Sequence, residues 1–206
     1  PSDGEFLDFF GSSVAVRGDK AFVSAAGDDD RGTSAGAVYV FERAGGAWAE
    51  VAKLTAADGG DYVHFGDFVI LDGDTAFIGA PGSLPDPGAV YLFQMAGGTW
   101  TQAGKLTASD GAAFDRFGAS GALSGDTLLV GAPRVDLAIE DEGAVYVFDR
   151  RCAADFDRDG DADTRDVLAF LQAWAAADPS ADCNGDGVLD SRDVLCFLNL
   201  WVAGCP

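Results

Sequence analysis

Over the first 151 positions, apolar residues come in short runs interrupted by Gly-Asp and Gly-Gly pairs, the pattern of strands joined by tight turns. FGSSVAVRGDKAFVSAAG begins at Phe10, FGDFVILDGDTAFIGAPG at Phe65 and FGASGALSGDTLLVGAPR at Phe117. In every copy the leading Phe stands 13 residues before Val23, Ile78 or Val130 of the second apolar run. A third run closes each copy: GAVYVF at 36–41, GAVYLF at 88–93 and GAVYVF at 143–148. The first two copies continue into AGGAWAEVAKLTAADG and AGGTWTQAGKLTASDG, offset by 52 residues. Such internal periodicity predicts a repeat architecture before any other feature is weighed.

Each unit reads as four short antiparallel strands. Gly-Asp at 18–19, 73–74 and 125–126 predicts two-residue hairpins with positive φ at both central residues. Ala-Val-Tyr-Val-Phe is β-branched and aromatic, as expected of a buried third strand. Gly45-Gly46 and Gly97-Gly98 supply the next turn, and Trp48 or Trp100 opens a fourth strand ending in Lys-Leu-Thr-Ala. Four antiparallel strands in about 52 residues is the pattern of a propeller blade. The expected fold is therefore mainly β: a partial β-propeller over 1–150, with repeats near 10–59, 65–111 and 117–149.

Phe-Gly together with Gly-Ala-Pro resembles the FG-GAP repeat family, the blades of integrin-α-like propellers. The resemblance implies an extracellular unit serving adhesion or ligand binding. The first copy departs from the motif, with Ser24-Ala25-Ala26 where the second has Gly-Ala-Pro. Some relatives carry calcium between strands, but the loops at 27–36, 82–88 and 134–143 lack the spaced acids this needs and read as solvated acidic loops. Asp-Gly recurs at a fixed distance before each Phe-Gly, in PSDGEFLDF, AADGGDYVH and ASDGAAFDR. Pro1 thus falls just after the fourth strand of an earlier blade, and the third copy stops at Phe148 without its own fourth strand. Upstream blades are expected, in keeping with a processed or truncated chain whose Pro1 is no initiator residue.

After residue 151 the pattern changes. DFDRDGDADTRD (155–166) and DCNGDGVLDSRD (182–193) lie 27 residues apart, each followed by a helix-period run, DVLAFLQAW and DVLCFLNLW. Positions 1, 3 and 5 of the loops are Asp155, Asp157, Asp159 and Asp182, Asn184, Asp186, with glycine sixth at Gly160 and Gly187. Position 7, Asp161 or Val188, offers its carbonyl; position 9, Asp163 or Asp190, can hold a bridging water; position 12 is Asp166 or Asp193. Hard oxygen donors at these offsets suit Ca²⁺ rather than Mg²⁺, and two complete sets predict two Ca²⁺ sites. The apolar stripes, with Trp174 and Trp201, are expected to pack the two helices together.

A duplicated loop and exiting helix with Asp at position 12 resembles a dockerin of type I, a calcium-binding module over 151–206. That resemblance implies calcium-dependent docking to a cohesin-type partner through loop positions 10 and 11 and the following helix. These positions are Thr164-Arg165 and Ser191-Arg192, similar enough to allow two poses related by a half-turn; as ordinary helix-start residues they would have no such role. Cys152 and Cys205 flank the module, and Cys183 and Cys196 align with the large–small pair Phe156 and Ala169 of the other repeat. Disulfides Cys152–Cys205 and Cys183–Cys196 are expected, and with them an exported protein.

A formal charge of −21 argues against nucleic acid and anionic membrane as partners and is compatible with divalent cations, or with an acidic surface that serves solubility alone. No apolar run is long enough to span a bilayer. Nucleophile elbow, zinc-helix motif and phosphate loop are missing, and the single histidine, His64, occupies a variable repeat position. The reading is a non-catalytic extracellular protein in which a propeller that binds a protein or glycan ligand is tethered to a cohesin-type partner or the cell surface by a calcium-dependent dockerin. Two alternatives stand beside it: a fragment of a secreted, polysaccharide-degrading enzyme with its catalytic part upstream, and a structural spacer with a degenerate dockerin.

Overall fold

The computed structural model describes residues 1–82, 87–136, 139–149, 154–157 and 162–203. It divides into two compact units, Pro1–Phe148 and Asp149–Pro206. The first is antiparallel β. Strands β1 (Phe10–Arg17), β2 (Lys20–Ala25), β3 (Ala37–Ala44) and β4 (Ala47–Leu54) form one meander. A second comprises β5 (Val69–Asp72), β6 (Thr75–Ala80), β7 (Ala89–Ala96) and β8 (Thr99–Leu106). The third sheet has three strands among the described residues: β9 (Ser120–Ser124), β10 (Thr127–Ala132) and β11 (Ala144–Asp149).

Turn chemistry sets the registers. Gly18-Asp19 and Gly73-Asp74 close two-residue hairpins between Arg17 and Lys20 and between Asp72 and Thr75. Only the glycine has positive φ (58° and 57°), so the expectation for both central residues is corrected: this is the II′ pattern, with Gly in the first central place. At Gly45-Gly46 both angles are positive, 60° and 85°, as a I′ turn requires. A bulge recurs at one repeat position, between Val40 and Phe41 and between Leu92 and Phe93. It lets the fourth strand twist away from the third.

Alternation along the strands then assigns each side chain to a face. Phe22, Val38 and Val40 of the first sheet share one apolar cluster with Phe65, Ile78, Tyr91, Phe93 and Trp100. The opposite face of the middle sheet sends Phe68, Phe77 and Val90 into a second cluster with Phe117, Leu128 and Val130. Both faces of the middle sheet are thereby buried, and the first strands β1, β5 and β9 neighbour one another in chain order. This is the face-to-face stacking of propeller-like repeats.

The repeated aromatics have one shared job. The Phe of Phe-Gly stands edge-on to two side chains of the third strand: Phe65 to Tyr91 and Phe93, centroids 5.5 and 5.8 Å away, and Phe117 to Tyr146 and Phe148 at 5.2 and 5.8 Å. Phe10 meets Tyr39 and Phe41 likewise at 5.6 and 6.3 Å. The first copy's departure from Gly-Ala-Pro also acquires a reason. Ser24 takes the place of Gly79, and its hydroxyl accepts from the Ser13 amide at 2.8 Å and pairs with the Ser12 hydroxyl at 2.9 Å.

A polar tie accompanies the aromatic one. The phenols of Tyr39, Tyr91 and Tyr146 donate to Asp3, Asp58 and Asp110, the aspartates of the recurring Asp-Gly, at 2.7, 2.8 and 2.8 Å. In the first two sheets the lysine directly across from the tyrosine joins in: Lys53 reaches Asp3 at 2.9 Å and Lys105 reaches Asp58 at 2.8 Å. Lys105 holds the Asp58 carboxyl below the usual carboxylate range, and Lys53 does the same for Asp3. Because Asp58 lies beyond β4, this tie fastens the linker leaving one sheet to the next.

The second unit is helical, with α1 (Thr164–Ala175) and α2 (Ser191–Ala203). Phe170 and Phe197, equivalent positions of the two repeats, stack in parallel with centroids 4.2 Å apart. Phe156 stands edge-on to both. No helix among the described residues is long and apolar enough to cross a membrane.

Candidate functional site

The two acidic loops build the same frame. Position 12 is the pivot: Asp166 and Asp193 are both fully buried. Asp166 accepts backbone amides from Asp157 (3.0 Å) and Asp163 (2.7 Å), and Asp193 accepts the equivalent amides of Asn184 (3.3 Å) and Asp190 (2.8 Å). Burial pushes the Asp166 carboxyl up, but the amide donors outweigh it and hold the group below its usual range. The Asp193 carboxyl is likewise lowered, first by the Asp190 amide. Each of these side chains also closes a helix start, with Asp163 and Asp190 accepting from Arg165 and Arg192 at 2.7 Å.

In the first loop, carboxylate oxygens of Asp155, Asp157 and Asp166 gather within 4.8 Å of one another. Oxygens bound to one Ca²⁺ at about 2.3–2.6 Å can be at most roughly 5 Å apart, so this donor set has the dimensions the ion requires. Asp159, Asp161 and Gly160 lie outside the described residues. In the second loop, Asp182 accepts from the Gly185 and Gly187 amides, Asn184 from Asp186, and Asp186 from Val188, all at 2.9 Å. Gly187 sits at φ +80°, the sharp turn expected of position 6. These three side chains curl around the loop's own amides, and among the described residues the gathered cluster belongs to the first loop alone. The chemistry of both sets is all-oxygen and anionic, which suits a hard divalent cation.

The loops are cross-linked through the helices. Trp174 of α1 donates its indole N–H to the Asp190 carbonyl, and Trp201 of α2 donates to the Asp163 carbonyl, both at 3.0 Å. Each tryptophan thus anchors the other repeat's loop, a role beyond the apolar packing read from the sequence. The expected apolar stripe is also divided. Phe170 and Phe197 point inward, while Leu168 and Leu195 are 59% and 62% exposed, beside the exposed Thr164-Arg165 and Ser191-Arg192. Cys183 and Cys196 are joined by a disulfide with Cα atoms 5.9 Å apart, tying the second loop to α2. Cys152 and Cys205 lie outside the described residues.

In the β unit, one grouping was not foreseen. Phe9, His64 and Arg116 occupy a single repeat position, immediately before each Phe-Gly, and together line a cavity of about 370 Å³ with Ser12, Ser34 and Asp67. All three have positive φ, 54°, 53° and 59°, a conformation that non-glycine residues adopt at a cost of about 1 kcal/mol or more. Burial raises the Asp67 carboxyl, opposed by the nearby His64 and Arg116. Variation at one position across repeats, read along the chain as loop drift, becomes a mixed aromatic, cationic and hydroxylic lining once the repeats converge. The signal available beforehand was that equivalence alone.

Comparison with known proteins bears on the β unit. No curated protein matches the sequence. The profile of the FG-GAP repeat matches three segments, residues 1–41, 48–93 and 100–148. Each contains one Phe-Gly, one II′ hairpin and one Tyr–Asp tie. FG-GAP repeats form ligand-binding, non-catalytic β-propeller-like units and occur in extracellular proteins. On these three matched segments, the chain belongs to the FG-GAP repeat family.

Proposed function

We propose that the protein is an extracellular, calcium-dependent binding and anchoring protein, with the FG-GAP unit engaging a protein ligand and the helical unit acting as a dockerin. The observation that carries the reading is the pairing of two loop–helix repeats around the Phe170–Phe197 stack, each with a buried position-12 aspartate and a tryptophan donating to the other loop. In this reading, Asp155, Asp157, Asp159, the Asp161 carbonyl and Asp166 hold one Ca²⁺. Asp182, Asn184, Asp186, the Val188 carbonyl and Asp193 hold the other.

Calcium organises each loop, and the loops set the two helix starts. Thr164, Arg165 and Leu168 on α1, and Ser191, Arg192 and Leu195 on α2, then present two equivalent outward patches to a cohesin-type partner. An aliphatic centre rimmed by arginine suits a protein surface better than a small molecule.

The test is binding of the full chain to a panel of type I cohesin modules, with calcium and with a chelator. Leu168→Asp or Leu195→Asp alone is expected to leave affinity within roughly threefold, because the other pose remains. The double variant is expected to lose about 100-fold or more, the loss of a buried interface anchor on both faces. A panel with no calcium-dependent binder would overturn the docking role.

A further inference from the structure

Three equivalent loops precede the Phe-Gly pairs, and each holds two non-glycine residues at positive φ. They are Leu7 and Phe9 (72° and 54°), Tyr62 and His64 (61° and 53°), and Phe114 and Arg116 (78° and 59°). Such backbone is costly for bulky side chains and persists only where its surroundings over-determine it. Here they do. Between the two residues of each loop, the carbonyl of Asp8, Val63 or Asp115 accepts the Gly27, Gly82 or Arg134 amide, at 3.0, 3.1 and 3.2 Å. One loop design, used three times, fixes Phe9, His64 and Arg116 in the wall of one cavity of about 370 Å³. That volume falls within the range of about 300–1,000 Å³ usual for small-molecule sites.

The chemistry of this wall is unusual for so acidic a chain. Two basic side chains, His64 and Arg116, accompany one carboxylate, Asp67, with the Ser12 and Ser34 hydroxyls and the Phe9 ring beside them. Elsewhere in the β unit Lys20, Arg43, Lys53 and Lys105 each hold a carboxylate at 3.0 Å or closer. Arg116 stands 3.9 Å from Asp67, beyond hydrogen-bond range. Among the described residues, the side chains of Arg116, His64, Asp67 and Ser34 make no hydrogen bond with the protein. Asp67 and Arg116 are nevertheless partly buried, their side chains 28% and 38% exposed. Polar groups that converge on a cavity and are unused within the fold are what fixes a ligand's orientation.

We propose that this cavity binds the uronic acid residue of an acidic sugar. Arg116 and His64 take the carboxylate, Asp67 and the two serines take ring hydroxyls, and Phe9 offers its face to the ring C–H groups. The lining selects against simpler ligands. A plain carboxylate is repelled by Asp67, and a neutral sugar leaves the Arg116 charge without an anion. An aspartyl or glutamyl side chain brings the carboxylate but no hydroxyl donors for Asp67. A hydroxylated carboxylate satisfies both halves. This small-molecule site is additional to the protein ligand proposed above, and it concerns the β unit alone, whether or not the helical unit docks.

His64 is the chain's single histidine, so its ring protons give one isolated NMR signal from the cavity wall. The full chain is titrated at constant pH with sodium D-glucuronate, D-glucose, acetate and an acetylated Gly-Asp-Gly peptide. Glucuronate should shift the His64 signal saturably, with a dissociation constant of about 1 mM or tighter. Glucose and acetate, each lacking half of the chemistry, should bind roughly tenfold or more weakly. Arg116→Gln should remove the preference for glucuronate over glucose, and Asp67→Asn should weaken both sugars about tenfold. The ligand comparison on the unaltered chain decides even where a variant folds poorly. No saturable shift at about 10 mM glucuronate, or affinity no better than for acetate or glucose, would overturn the proposal. Equal or tighter binding of the peptide would assign the cavity to a protein carboxylate and overturn the sugar.

Discussion

Phe65→Ala is expected to lower the stability of the β unit by about 3–5 kcal/mol, the range for deleting a fully enclosed aromatic ring. Phe65 has no solvent exposure, stands edge-on to Tyr91 and Phe93, and belongs to the apolar cluster shared by the first two sheets. Its amide also donates to the Ala35 carbonyl at 2.9 Å, so its backbone is fixed and a cavity cannot close around alanine. Phe10 provides the internal comparison. It makes the same two aromatic contacts but is 41% exposed, so Phe10→Ala should cost only about 1–2 kcal/mol. Urea unfolding of the full chain, followed by the β signal in circular dichroism, checks both. Equal losses would mean that the Phe of Phe-Gly stabilises its own sheet and not the junction between sheets.

Gly88→Ala should be about as damaging, for a different reason. Gly88 begins the Gly-Ala-Val-Tyr run at φ +93°, and a Cβ there would lie 2.1 Å from the Phe117 carbonyl oxygen and 2.9 Å from its nitrogen. Those are backbone atoms, held by the Phe117 amide donating to Pro87 at 2.8 Å, so nothing can rotate aside. About 1–3 kcal/mol of backbone strain adds to about 1–3 kcal/mol of overpacking. Gly125→Ala separates these terms: φ is +54°, but a Cβ would meet nothing within 4 Å, leaving conformational strain alone, about 1 kcal/mol. The same urea experiment decides. If the two variants matched, close approach between sheets would not be what Gly88 provides.

These two positions show what the sequence could and could not disclose. Phe65 and Gly88 stood out as repeated letters, and strand number and turn sites followed from local pattern. The reason for the letters is non-local. Gly88 is required only because the Phe117 backbone of the next repeat rests on it, a contact that no window of the chain contains. The Asp-Gly spacing was equally visible, yet its tyrosine partner lies more than thirty residues away, as in Asp58 and Tyr91. At the hairpins, Gly-Asp announced a turn but not its type, since II′ and I′ both put the first central residue at positive φ and part at the flip of the peptide that follows it, which leaves the second at negative or positive φ.

In the helical unit, loop offsets pointed to Asp155, Asp157 and Asp166, whose carboxylate oxygens gather within 4.8 Å of one another, because spacing along one loop is local. The outward turn of Leu168 and Leu195 was hidden, because a broad apolar stripe does not say which part the facing helix covers. The Trp174 and Trp201 indole bonds were hidden too, since each ends on the other repeat's carbonyl. His64 looked incidental until its equivalents Phe9 and Arg116 came round to the same cavity.

The measurement that bears most directly on the anchoring role is a calorimetric calcium titration of the full chain, alongside Asp155→Ala and Asp182→Ala, with helix content followed in parallel. Two calcium ions per chain are expected, with dissociation constants of about 10⁻³ M or tighter. Each variant should lose one site, and helix signal should rise with occupancy. No heat at millimolar calcium, or a stoichiometry that neither substitution changes, would contradict the calcium-dependent anchor.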